Sequence, residues 1–212
     1  MKPKPDATPY IPGHRKWYIA GFIVALLLLA WASVFAHQTV AGWESRLFTD
    51  INNWPDKLRQ FFVVVSLVGG SVWAAAGAVV VTFFLKMYRL CWRMAVTIFG
   101  AYAAAYLLKH FVGRGRPGAL MTHIHVRAVE TGMGFPSGHA TIATVVSLTL
   151  LPYLPVRWRW IPPVWIVLVV LSRLYLGVHF PLDVLGGVCV GVLAVAFIRI
   201  MPHPLRVFFR LD

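Results

Sequence analysis

Acidic residues are scarce in this chain: seven Asp and Glu stand against 20 Lys and Arg, and charged residues of both signs make up only 13% of it. So low a charged fraction, beside 59% hydrophobic residues, argues against an ordinary water-soluble domain and for an integral membrane protein. Cysteine is also sparse. Cys91 and Cys189 fall at a loop edge and inside an apolar run, with no spacing that suits a metal, so neither a disulfide pair nor a cysteine metal site is expected. The net charge of +13 would suit nucleic acid, but the basic residues flank apolar runs and form no solvated stripe. Positive-inside bias, anionic lipids and a phosphate site account for them, and no nucleic-acid partner is expected.

What the chain has is long uncharged runs. They predict an all-α, polytopic membrane protein: six transmembrane helices with a short interfacial helix after the first. Residues 1–16 and 202–212 read as cytoplasmic tails around one domain at 17–201. Trp17 to Ala36 is an uncharged run of 20 residues, enough to cross a bilayer core. Val34-Phe35-Ala36 resembles a signal-peptidase site, but the run exceeds a usual signal core, so an uncleaved anchor is expected. From Trp43 to Arg59, Leu47, Phe48, Ile51 and Trp54 recur at helical spacing beside Glu44, Arg46 and Asp50, a pattern for a helix lying in the interface.

Phe61 to Leu85 predicts the second span, with Gly69-Gly70 and Gly77 permitting close helix approach. Further spans are expected from about Leu90 to Leu108, Pro136 to about Leu154, a fifth reaching about Gly177, and Pro181 to Ile198, with a polar loop at 110–136. Lys2, Lys4, Arg15, Lys16, Lys86, Arg89, Arg93, Arg157, Arg159, Arg199, Arg206 and Arg210 fall in the tails and even loops. Three of the remaining basic residues, Lys109, Arg116 and Arg173, sit among candidate site residues. The bias puts the termini in the cytoplasm and the 110–136 loop outside, which in a bacterium is the periplasmic or extracellular face.

The stretch Ser172 to Asp183, SRLYLGVHFPLD, places Arg173, His179 and Asp183 between two apolar runs. Ionisable groups there must find partners or water, which marks them as functional candidates. Pro181 suits the first position of a new helix, leaving His179 just before it and Asp183 one turn inside, within reach of the imidazole. A carboxylate on one ring nitrogen leaves the other free as base or nucleophile. Upstream, Lys109 and Arg116-Pro117 supply cations, and Pro136-Ser137-Gly138-His139 opens a helix whose first amides point at an anion. Two histidines with different neighbours can divide acid and base roles. Together these residue types describe phosphate chemistry at a membrane face.

Lys109-x6-Arg116-Pro117, Pro136-Ser137-Gly138-His139 and Ser172-Arg173-x5-His179-x3-Asp183 resemble, in order, the three signatures of the type 2 phosphatidic acid phosphatases. Their superfamily also holds bacterial acid phosphatases and vanadium haloperoxidases. The resemblance implies His179 as the nucleophile of a phosphohistidine intermediate, Asp183 as its orienting carboxylate and His139 as general acid. Lys109, Arg116, Ser137, Gly138 and Arg173 would hold the phosphoryl group, and no metal or other cofactor is implied. The compact chain and short loops favour undecaprenyl diphosphate as the membrane lipid substrate, ahead of phosphatidylglycerol phosphate, phosphatidic acid or lipid A phosphate.

Other readings stay open. A protein of this fold could bind or carry lipid phosphate without hydrolysis, or use vanadate for oxidation. His123-x-His125 has metal-like spacing but no third ligand, and reads as polar loop. Glu130, Arg114 and Arg127 could tune head-group choice; solvated loop charges are the expectation for each, and an interfacial position for His110. The oligomeric state is not legible.

Overall fold

A computed structural model describes residues 15–37, 40–202 and 205. The two expected tails lie almost wholly outside these residues, and with them Lys2, Lys4, Arg206 and Arg210. The described chain is all-helical: α1 (Arg15–His37), α2 (Gly42–Asn52), α3 (Arg59–Gly70), α4 (Val72–Phe84), α5 (Tyr88–Val112), the single turn α6 (Pro117–Leu120), α7 (Gly138–Leu150), α8 (Ile161–Tyr175) and α9 (Pro181–Ile200).

Small residues set how these helices pack. Ala25, Leu29, Ala32 and Ala36 form the buried stripe of α1, and α1 lies along α9. Where lipid replaces water, the gain comes from close backbone approach, which small side chains allow. The centre is α7, which packs against α9, α5, α8 and α3. Gly187 of α9 makes that fit possible: a Cβ there would stand 2.9 Å from the Ala140 Cβ and collide with the Ser137 carbonyl. On the other flank Gly70 closes α3 against α7, since a Cβ would stand 2.7 Å from that of His139.

The expected second span is broken. Ser71 is extended, its hydroxyl accepts the Ala74 N–H at 3.1 Å, and α3 and α4 meet at 54°. A serine that caps a new helix explains the break after Gly69-Gly70. By length and composition α1, the Tyr88–Leu120 stretch containing α5, and α9 can cross a bilayer, with the bent α3–α4 pair a fourth crossing if it acts as one. Six spans are therefore not reached on length: α7 has 13 residues and α8 has 15. α7 is sheathed by protein along most of its length, so it need not match the lipid thickness.

The interfacial reading of α2 is half right. Leu47 is exposed, but Glu44, Phe48 and Ile51 share a face buried in the protein. Phe48 meets Phe180 with ring centroids 5.3 Å apart, so α2 docks on the start of α9.

The α7–α9 contact gives a first test. Gly187→Val forces a branched side chain into a space filled by Ser137 and Ala140, and overpacking of this kind costs about 1–3 kcal/mol. Thermal unfolding in detergent should show a lowered Tm, and an unchanged Tm would mean that this approach is not tight.

Candidate active site

Several helix ends meet at one end of the bundle. α5 stops where Gly113 turns left-handed (φ 65°) and returns its N–H to the Lys109 carbonyl at 2.9 Å, leaving Lys109 in the last turn. α8 ends just after Arg173, with Gly177 at φ 75° before Val178 and His179. Pro181 is the first residue of α9, as its fixed φ favours. Asp183, one turn inside, accepts the Phe180 N–H on Oδ2 at 2.8 Å. Ser137 caps α7, and its own N–H donates to the Asp183 carbonyl at 2.8 Å. That single backbone bond ties the start of α7, which carries His139, to the start of α9, which follows His179.

All eight sequence-predicted residues, Lys109, Arg116, Ser137, Gly138, His139, Arg173, His179 and Asp183, fall in this region. One detail differs. The Ser137 amide is taken by Asp183, so the helix offers the amides of Gly138 and His139 instead, which have no acceptor within α7. Asp183 Oδ2 lies 3.4 Å from His179 Nδ1, an ion-pair separation, and that nitrogen forms no hydrogen bond.

The middle of the site holds a carboxylate. Glu130 Oε2 is 2.9 Å from Arg116 Nη1 and 3.8 Å from His179 Nε2. Its Oε1 accepts from Arg173 Nη2 and lies 3.8 Å from His139 Nδ1. Burial pushes the Glu130 carboxyl up, but the Arg173 charge, then His179, His139 and Arg116, overcome it and hold the pKa down to about 2. His179, enclosed between α8 and α9, is pushed well below the usual histidine value by burial and then by Arg173 and Arg116.

The cations are braced from behind. Arg116 Nη1 donates to the Val178 carbonyl at 2.9 Å, Nε to Gly132 at 3.0 Å and Nη2 to Thr131 at 3.2 Å. Lys109 Nζ donates to the Met133 carbonyl at 2.9 Å, and Arg173 Nη1 to the Ser66 hydroxyl. These carbonyls and the Ser66 hydroxyl orient each charge without neutralising it.

The solvated-loop expectation for Glu130, Arg114 and Arg127 is overturned. Arg114 is only 4% exposed and pairs with Glu44 and Asp183. Arg127 donates to Asp56 at 2.8 Å and to the Asn52 and Tyr175 carbonyls at 2.7 and 3.0 Å, stitching the loop to α2 and α8. Acid scarcity was the missed signal: Glu130 is the only acidic residue between Asp56 and Asp183. The His123–His125 segment is held through the backbone of His125, which exchanges two hydrogen bonds with Asn52. Among the described residues no group of three or more His, Cys, Asp or Glu is placed to hold a metal.

The chain is similar to several known proteins. The family described as PAP2 superfamily matches residues 90–206. The undecaprenyl-diphosphatase of Sulfolobus acidocaldarius is 30% identical over 186 residues, covering 84% of this chain and 87% of that protein. Phosphatidylglycerophosphatase B of Bacillus subtilis is 31% identical over 150 residues, 64% of this chain and 71% of its own. The crystal structure of Aquifex aeolicus LpxE superimposes with a TM-score of 0.69 at 23% identity, covering 76% of this chain and 99% of that one.

Glu130 already occupies Arg116 and Arg173, so another anion on the same donors competes with it. Glu130→Gln keeps the volume and removes the charge, so inorganic phosphate should bind the purified protein about tenfold more tightly in a calorimetric titration. Equal affinity in the two proteins would mean that the carboxylate does not compete. Because the Glu130 pKa is depressed from 4.5 to about 2, its stabilising pairing is complete above pH 4.5 and lost as pH falls through about 2. The difference between the two proteins should therefore persist unchanged from pH 7 to pH 5.

Proposed function

The chain belongs to the PAP2 superfamily, and from that premise we propose that it is a membrane lipid phosphate phosphatase acting on undecaprenyl diphosphate through a phosphohistidine. One observation carries the reading: the Glu130 carboxylate lies 3.8 Å from both His139 Nδ1 and His179 Nε2, so the two rings flank a space of one anion. That space is bordered by the guanidinium groups of Arg116 and Arg173.

A terminal phosphate in this place would have its non-bridging oxygens on Arg116, Arg173 and Lys109, with the first amides of α7 beside it. His179 Nε2 attacks phosphorus while the bond to the bridging oxygen breaks. His139 protonates that oxygen, and the shortened lipid phosphate leaves. Asp183 faces Nδ1 at 3.4 Å and offsets the positive charge that the ring gains on forming the P–N bond. Water then attacks the phosphohistidine. His139 takes its proton, the P–N bond breaks, and inorganic phosphate is released with His179 neutral again. Ser137 acts through the helix start it caps.

A lipid substrate is supported by an apolar groove of about 500 Å³ between α1, α5 and α9, lined from Phe22 to Leu108, the residue before Lys109. The choice of undecaprenyl diphosphate follows the similarity to the Sulfolobus enzyme of that name. In this reading the chain crosses the cytoplasmic membrane six times, with α3–α4 as one broken crossing and the short α7 enclosed by its neighbours. The termini are cytoplasmic and the site faces outward, as the placement of basic residues favours.

The test is phosphate release in detergent from undecaprenyl diphosphate, phosphatidylglycerol phosphate and phosphatidic acid. His179→Ala should abolish it, His139→Ala should slow it by about 10²–10⁴-fold, and EDTA should leave the wild-type rate unchanged. An alkali-stable phosphoryl label should appear on the wild type and not on His179→Ala. Full activity of His179→Ala would remove the nucleophile, a faster rate on another lipid would change the substrate, and tightly held, unhydrolysed lipid would leave a binding protein.

A further inference from the structure

The mechanism gives Asp183 a task without saying what holds it to that task. Its contact with His179 is 3.4 Å and not a formed hydrogen bond, so the orientation of the carboxylate must come from its other partners. Those partners are fully buried. Arg114 Nη1 donates to Asp183 Oδ1 at 3.1 Å, leaving Oδ2 turned toward His179 and the Phe180 amide. The same guanidinium grips Glu44 with two bonds, 2.9 Å to Oε1 and 2.6 Å to Oε2. Glu44 Oε1 also accepts the Leu182 N–H at 2.9 Å, which is the residue before Asp183. The Arg114 guanidinium lies 4.8 Å over the Phe180 ring, closing the remaining side.

We infer that Glu44 and Arg114 are a positioning pair that fixes the rotamer of Asp183 and, through it, the tautomer and aim of His179. The inference rests on His179 being the nucleophile. Charge arithmetic favours the arrangement. A lone guanidinium on Asp183 would cancel the negative charge that the attacking ring needs nearby. Glu44 balances Arg114, so Asp183 still faces His179 as a net anion while its second oxygen is locked. Glu44 comes from α2, outside the residues matched by the family, and with Arg114 it links the membrane-edge helix to the reacting imidazole.

The pair touches none of the groups proposed to bind phosphate. Glu44→Gln/Arg114→Gln, which removes both charges together and strands neither, should therefore lower kcat and leave KM nearly unchanged. The expected loss is about 10- to 100-fold, the usual cost of deleting the partner behind a functional ligand. Adding Glu44→Gln/Arg114→Gln to Asp183→Asn should cost almost nothing further, because the residue the pair positions is already disabled. A loss that multiplies in that background, or one that falls on KM, would overturn the role. Nitrogen chemical shifts of ¹⁵N-labelled His179 give a readout independent of turnover: protonation on Nδ1 in the wild type, and a mixture of tautomers in the double variant. An unchanged tautomer would overturn the inference even if no lipid is hydrolysed. Failure of the wild type to release phosphate would instead count against the enzyme reading alone.

Discussion

A buried guanidinium must be paired, and this chain buries two at one end of an apolar bundle, Arg114 at 4% exposure and Arg173 at 2%. With only seven acidic residues available, their placement is constrained. Glu44 and Asp183 go to Arg114, and Glu130 goes to Arg173 and Arg116. The cost of an unpaired charge in a low-dielectric interior is several kcal/mol, which forces the loop after α5 and the helix α2 to close over the ends of α8 and α9.

The two pairings have different fates. Around Arg114 every partner is fully buried, the carboxylates grip both terminal nitrogens, and nothing from outside can compete. Around Arg173 the carboxylate sits on a loop with its side chain 25% exposed, and its two oxygens imitate only part of a phosphate. The first pairing is enclosed by protein and the second lies at an open edge. The same physical demand thus yields a buried support on the inner side of His179 and a partly exposed carboxylate on its outer side.

The parts of the site that could be read from the chain are those fixed by short spacings. Pro181 opens α9 and Ser137 caps α7 because each residue type carries its own local preference. His179 and Asp183 are close because one helical turn separates them. The missed parts depend on pairs far apart in sequence. Glu44 and Arg114 are 70 positions apart, and no periodicity links them. The apolar rhythm of α2 suggested a helix floating in the interface, yet the Glu44–Phe48–Ile51 face turns into the protein because a buried arginine waits there. The uncharged run from Phe61 to Leu85 looked continuous, since hydropathy does not register a serine that prefers to cap a helix rather than continue one.

A self-paired site also changes what affinity means. In the proposed function, binding of a terminal phosphate would not be the sum of its contacts with Arg116, Arg173 and Lys109, because the first two are already satisfied by Glu130. It is the difference between a tetrahedral dianion and a planar monoanion on the same donors, less the cost of moving the loop. The dianion gains where the carboxylate falls short: a further oxygen for Lys109, whose ammonium otherwise rests on the Met133 carbonyl, and more charge for the amides at the start of α7. A singly charged phosphodiester head group brings no such surplus. In that reading an internal carboxylate would let a strongly basic pocket stay folded among anionic lipids while yielding to a terminal phosphate.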